Sequence, residues 1–169
     1  MGLTVKGRFA PSPTGRMHLG NVFSALISWL SARSRGGRWL LRIEDLDPQR
    51  SRTEYAMQIE DDLRWLGLDW DEGGTADEGD AGPYRQSLRG ELYAAALERL
   101  RATGMTYPCT CRRADIMATP APHQSDGRVI YAGTCRPASM PCVSAEPPVP
   151  HSTRIYVPDS EICFEDGVF

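Results

Sequence analysis

The feature that most constrains this chain is the passage from Val5 to Leu30. There a short apolar run breaks on Ala10-Pro11-Ser12-Pro13-Thr14-Gly15 and apolar residues then return at helical spacing. Val5 to Phe9 reads as a buried strand, and Val22, Phe23, Leu26, Trp29 and Leu30 read as one helix that stops at Gly36-Gly37. Trp39 to Ile43 predicts a second strand. Ser51 and Glu54 have the spacing of a capping box ahead of Tyr55, Ile59, Leu63 and Leu66, which predicts a second helix to about Gly67. The acidic, glycine-rich stretch from Asp69 to Gly82 reads as a loop, and Leu92, Tyr93, Ala96, Leu97 and Leu100 mark a third helix closed by Gly104. Strand, helix, strand, helix is the opening of a parallel α/β sheet.

At 169 residues, with 41% apolar and 24% charged side chains, the chain has the composition of one globular domain, or of a domain carrying a small insertion. Ser24 and Ser28 interrupt its longest apolar run, which falls far short of the ~20 residues a membrane span needs, so no membrane partner is expected. Nothing after Met1 has the basic start and long apolar stretch of a secretory signal, and a cytoplasmic location is expected. A net charge of −3 excludes an overall basic field, so any contact with nucleic acid must be local. Lys6 is the only lysine among 19 basic residues; the arginine bias suits bidentate phosphate binding but reflects genome base composition equally well. Five cysteines without an export signal point to thiolate ligation of a metal ahead of a disulfide framework.

A strand running into Pro11-Ser12-Pro13-Thr14-Gly15 and then a helix sets backbone N–H groups and a helix N-terminus beside the strand's carboxyl end, where α/β folds bind phosphate. Gly15 and Gly20 let backbone approach a ligand, and His18 can donate to a phosphate oxygen as charge shifts during displacement at phosphorus. The plain alternative is a turn that ends a strand.

Two blocks carry a family resemblance. Gly7 to Asn21, with Leu40-Leu41-Arg42-Ile43-Glu44-Asp45-Leu46-Asp47-Pro48, resembles the catalytic domain of glutamyl-tRNA synthetases, class I enzymes whose "HIGH" motif binds ATP. That motif stands here as His18-Leu19-Gly20-Asn21, with asparagine in place of the last histidine. The resemblance implies an α/β fold, the first half of a class I Rossmann-type parallel sheet with a small, partly β, zinc-containing insertion. It implies ATP contacts from Pro11, Thr14, Gly15, His18, Gly20 and Asn21, with His18 and Asn21 in the catalytic role and Mg2+ accompanying ATP. It also implies L-glutamate contacts from Arg8, Phe9, Ala10, Pro11, Ser12 and Glu44. A guanidinium holds a carboxylate bidentately, and Glu44 can accept from an α-ammonium. The alternative for Arg8 and Glu44 is a mutual salt bridge. Asp45 and Asp47 have the spacing of a magnesium pair, but capping of the following turn is the preferred reading.

After Met105 the sequence changes character: cysteines appear, prolines multiply and no helical period is visible. Residues 1–105 therefore read as the first half of the catalytic domain, and 106–169 as a smaller metal-bearing insertion. Arg154 to Val157, a turn at Pro158-Asp159-Ser160 and then Ile162-Cys163-Phe164 alternate like a β-hairpin. Cys109 and Cys111, with Cys135 further on, form a thiolate set that zinc accepts tetrahedrally. The chain resembles here the glutamyl-Q tRNA(Asp) synthetases, shortened relatives that bind one structural zinc through Cys-x-Cys and Tyr-x-x-x-Cys. The matching residues are Cys109, Cys111, Tyr131 and Cys135, and His123 and Cys142 compete with Tyr131 for the fourth place. The implied partners are ATP, L-glutamate and tRNA(Asp) carrying queuosine; the alternatives are a true glutamyl-tRNA synthetase and a non-catalytic zinc-stabilised module. The resemblance covers this chain and about the first half of a family member. Because Lys6 is the only lysine, the lysine of the family's second signature is absent here, and the chain reads either as a fragment of a larger protein or as a shortened product that binds without catalysing.

Overall fold

The computed structural model describes residues 5–118, 131–141, 147–158 and 160–165. It divides into two compact units, Met1–Tyr93 and Ala94–Phe169.

The first unit is built on a parallel sheet ordered β1 (Lys6–Phe9), β2 (Arg38–Leu41), β3 (Glu72–Gly73), with α1 (Leu19–Arg33) linking the first pair and α2 (Thr53–Trp65) the second. Lys6 pairs with Arg38 and Phe9 with Leu41, while Leu40 and Leu41 pair with Glu72 and Gly73. The core joins Phe9, Trp39, Leu41, Ile43, Ile59, Leu63 and Leu68. Phe9 and Trp39 stack with ring centroids 6.1 Å apart, and the Trp39 indole N–H donates to Ser28 Oγ at 3.0 Å.

The α1 stripe behaves differently from its sequence expectation. The helix buries its small residues, Ala25 and Ala32, and leaves Phe23, Leu26, Ile27 and Leu30 exposed. Gly7 explains the choice, because a Cβ there would lie 3.0 Å from Ala32 Cβ and 2.9 Å from the Trp39 ring. Helix and strand meet so closely that only small side chains fit between them.

Two further expectations change. The stretch read as a loop contributes β3, whose buried Glu72 carries a charge that masks a strand from its pattern. Its carboxylate is held by Lys6 Nζ at 2.6 Å, Arg38 Nη1 at 2.9 Å and the Tyr84 hydroxyl at 2.8 Å. The Ser51–Glu54 capping box does not form. Arg52 is the N-cap without a side-chain bond, and Ser51 Oγ is buried without a hydrogen-bond partner among the described residues. The preceding turn has taken the backbone: Ser51 N–H donates to the Asp47 carbonyl at 2.8 Å and Arg52 N–H to that of Pro13 at 2.9 Å. Asp47 Oδ1 caps the turn through the N–H groups of Gln49 and Arg50, as preferred over the magnesium pair, and the Arg50 guanidinium holds its carboxyl below the usual range.

α3 (Gly90–Ala102) follows, and the division between the units falls within it. In the second unit β4 (Thr106–Cys109) pairs antiparallel with β5 (Ser152–Ile155), from Thr106 opposite Ile155 to Cys109 opposite Ser152. The expected hairpin is absent among the described residues: β5 takes β4 as its partner, and Ile162, Cys163 and Phe164 are exposed outside any strand. β4 is the better template because its alternate residues Tyr107 and Cys109 are buried. A one-and-a-half-turn helix, α4 (Arg113–Ala118), also stands where no helical period was read. It is too short to show one, and Asp115 Oδ2 fixes its start by accepting from Arg112 N–H at 2.9 Å. Residues 119–130, between the two halves of the cysteine set, lie outside the described residues.

Candidate nucleotide loop and metal centre

The loop after β1 is shaped by backbone bonds. The Pro11 carbonyl accepts from Glu44 N–H at 3.0 Å, the Phe9 carbonyl from Arg42 N–H at 2.9 Å, and Thr14 N–H returns to the Ser12 carbonyl at 2.9 Å. These bonds hold open a cleft of about 480 Å³ lined by Phe9 through Ser12 and by Thr14, Gly15, His18 and Asn21, with Met17 and Ile59 behind them. Eight expected ligand residues thus share one cavity; Arg8, Gly20 and Glu44 are not in its lining.

His18 begins α1. Its Nδ1 accepts from Gly20 N–H at 3.1 Å, and Asn21 Oδ1 accepts from His18 N–H at 3.2 Å, which closes a capping box. An Nδ1 that accepts leaves the proton of the neutral ring on Nε2, so the outer nitrogen is a donor at the cleft. Gly20 is required by this arrangement, because a Cβ there would sit 3.0 Å from the imidazole. A Cβ at Gly15 would meet nothing. Asn21, the departure from the family motif, therefore has a defined structural duty.

Arg8 is exposed and makes no hydrogen bond or ion pair among the described residues. The salt bridge imagined between Arg8 and Glu44 is replaced by one from Arg42 Nε to Glu44 Oε1 at 3.7 Å, and Arg42 Nη2 donates to the Tyr93 hydroxyl at 2.8 Å. Arg42 and Tyr93, which sequence reasoning did not assign, brace Glu44. Asp45 braces a more distant segment by accepting from Ser87 N–H and Oγ, both at 2.8 Å.

In the second unit Cys109, Cys111 and Cys135 bring their sulfurs within 4.8 Å of one another. Cys111 Sγ lies 3.6 Å from Cys135 Sγ, and Tyr131 Oη lies 3.4 Å from Cys109 Sγ while accepting from Cys135 N–H at 2.8 Å. A tetrahedral ion about 2.3 Å from sulfur and 2.0 Å from oxygen sets neighbouring ligand atoms about 3.5–3.8 Å apart, close to the Cys111–Cys135 and Cys109–Tyr131 separations, so the three cysteines could hold a metal ion. His123 and Cys142, the competitors for the fourth place, lie outside the described residues.

Burial pushes the Cys109 thiol up, but the Tyr131 hydroxyl, the Arg154 guanidinium and the Cys111 backbone outweigh it and hold the thiol at about 6. The Thr110 backbone lowers Cys135, donation to Cys135 raises Cys111, and burial together with donation to Cys109 raises Tyr131. Cys109 and Cys135 are thus both biased toward the thiolate, the form a metal requires.

Residues 4–169 match the family model described as tRNA synthetases class I (E and Q), catalytic domain. The chain belongs to that family. A glutamyl-Q tRNA(Asp) synthetase of Symbiobacterium thermophilum is 53% identical over 166 residues, which cover 95% of this chain and 50% of that protein. A glutamate–tRNA ligase 2 of Alkalilimnicola ehrlichii is 52% identical over 132 residues, 78% of this chain and 28% of that one. Among solved structures, a glutamate tRNA ligase from Elizabethkingia meningosepticum, in complex with its amino acid, matches with a TM-score of 0.61 at 38% identity, over 68% of this chain and 22% of that chain. This class I synthetase chain spans about half the length of the first curated relative. The parallel sheet is that of the class I catalytic domain, and no described helix is long and apolar enough to cross a membrane.

Proposed function

We propose that this chain carries the ATP- and glutamate-binding half of a glutamyl-Q tRNA(Asp) synthetase. The glutamate carboxylate attacks the α-phosphate of ATP and displaces pyrophosphate to give glutamyl-adenylate, and the glutamyl group then passes to queuosine of tRNA(Asp) with release of AMP; Mg2+ bound with ATP would offset the phosphate charge. The observation that carries the reading is the cleft after β1, where His18 presents a free Nε2 donor to any phosphate seated at the start of α1. Arg8, unpaired among the described residues, offers a guanidinium for the substrate's carboxylate, and braced Glu44 offers an acceptor for its ammonium. Gly15, where a Cβ would meet open space, leaves the triphosphate room. Residues 106–169 act as a metal-bearing insertion in which Cys109, Cys111, Tyr131 and Cys135 hold one structural zinc ion; four protein ligands leave no open position for catalysis.

A second reading, the N-terminal half of a true glutamyl-tRNA synthetase, is favoured by the glutamate–tRNA ligase at 52% identity. Glutamate-dependent ATP–pyrophosphate exchange, run on this chain and on its full natural reading frame, tests activation. Transfer of labelled glutamate to queuosine-bearing tRNA(Asp), but not to tRNA(Glu), is the expected result with the full frame. Charging of tRNA(Glu) at its 3′ end selects the second reading, and the absence of exchange from both samples rejects an active enzyme.

A further inference from the structure

Arg154 is the unexplained residue of the second unit. Of the four residues of β5 it alone is half-buried, and it holds the place where strand alternation would put an apolar side chain. Its Cα pairs with Tyr107, so Cys109 is its diagonal neighbour on β4, within reach of a long side chain. The guanidinium carbon stands 3.8 Å from the centroid of the Tyr131 ring, the shortest cation–π contact among the described residues. Its Nε is buried and has no hydrogen-bond partner among the described residues. A charged side chain held in this way is costly unless a nearby negative charge compensates it. Three thiolates around a divalent cation leave one negative charge in excess, and a phenolate would add another.

We propose that Arg154 is a positioning residue of the cysteine-cluster metal centre: stacked on Tyr131 and facing Cys109, it fixes the phenol oxygen beside the sulfurs and offsets the excess negative charge of the ligand set. This rests on the zinc reading above. Planar stacking and charge act together, so lysine, which keeps the charge and loses the flat face, replaces only part of the function.

The test is zinc affinity of the 169-residue chain, measured by competition with a chromophoric chelator, together with the visible spectrum of the cobalt(II) form. Arg154→Leu is expected to weaken zinc binding about 10- to 100-fold and to shift the cobalt ligand-field bands while the thiolate charge-transfer band persists. Arg154→Lys is expected to recover part of the affinity and to keep the shifted bands. A parent chain that takes up neither ion rejects the metal reading itself. A parent that loads, with Arg154→Leu within twofold of it and spectrally identical, overturns the role of Arg154 and leaves the metal reading standing. Should the leucine variant fail to fold, the lysine variant decides: parental affinity and an unshifted spectrum overturn the proposal, because an arginine needed only for the fold would not move the cobalt bands.

Discussion

The two candidate sites solve opposite problems. Around the nucleotide loop the backbone does the shaping, and functional side chains are left with free valences: among the described residues Arg8 on β1 has no hydrogen-bond or ion-pair partner and His18 keeps Nε2 unused. In the cysteine cluster the side chains satisfy one another, with Tyr131 hydrogen-bonded to Cys109 and Cys111 set against Cys135. A site that must exchange a substrate has to stay unsatisfied until the substrate arrives, whereas one that holds a structural ion can close on itself. The contrast says which substitutions should cost stability and which should cost only chemistry.

The largest expected effect is at the closed site. Cys135→Ser removes one thiolate and the partner of Cys111, and zinc affinity should fall at least ~100-fold, with a lower melting temperature in the presence of zinc. Chelation of the parent should reproduce the same lower melting temperature. Equal zinc uptake by parent and variant would break the contrast at once. At the open site His18→Asn keeps a side-chain acceptor for the N-cap while removing the outer donor. Glutamate-dependent pyrophosphate exchange in the full reading frame is expected to fall ~100-fold or more with the melting temperature unchanged, as for loss of one transition-state donor. A parallel loss of stability would instead make His18 a structural residue.

The sequence was legible wherever local chemistry decided the outcome. The breaker-rich loop, the positive-φ stops at Gly36, Gly67 and Gly104 and the parallel order of β1 and β2 follow from turn chemistry and apolar spacing. It misled where tertiary contact overrode pattern. The heavy apolar residues of α1 promised its buried face, yet the close approach at Gly7 gives that face to Ala25 and Ala32. β3 hid behind Glu72, because a buried carboxylate reads as loop until its partners on β1 and β2 are known. At the sites, the blocks around His18 and Glu44 named the loop, but neither spacing nor composition could bring Tyr93 to Arg42 or Arg154 to Tyr131 across distant segments.

Glu72 extends the comparison to a charge buried for the fold alone. The Lys6 ammonium holds its carboxyl below the usual range against the opposing effect of burial, with help from Tyr84 and Arg38. A carboxyl lowered in the folded state contributes stability that is fully present above its unfolded value of ~4.3 and is lost as pH falls through the lowered value. Glu72→Gln should therefore destabilise the chain at neutral pH by about 1–3 kcal/mol, less than a fully buried pair costs because Lys6 and Arg38 are nearly half-exposed. Denaturant titrations should show that gap closing as pH falls below the glutamate range. A gap independent of pH would mean that shape, not charge, is what Glu72 supplies.

Asn21 gives the smallest and most discriminating effect. It lines the nucleotide cleft and also completes the cap of α1, so its substitution asks whether a residue of the open site can act through backbone order alone. Asn21→Ala removes the acceptor for His18 N–H and should cost about 1 kcal/mol, as other N-terminal caps do. Pyrophosphate exchange should drop less than tenfold, because the His18 Nε2 donor remains and only its seat loosens. Asn21→Asp keeps the acceptor and places a negative charge at the helix N-terminus, which favours the helix and opposes ATP. Stability restored with exchange still depressed would divide the capping duty of Asn21 from its place at the phosphate site. Recovery of both would leave it a capping residue alone.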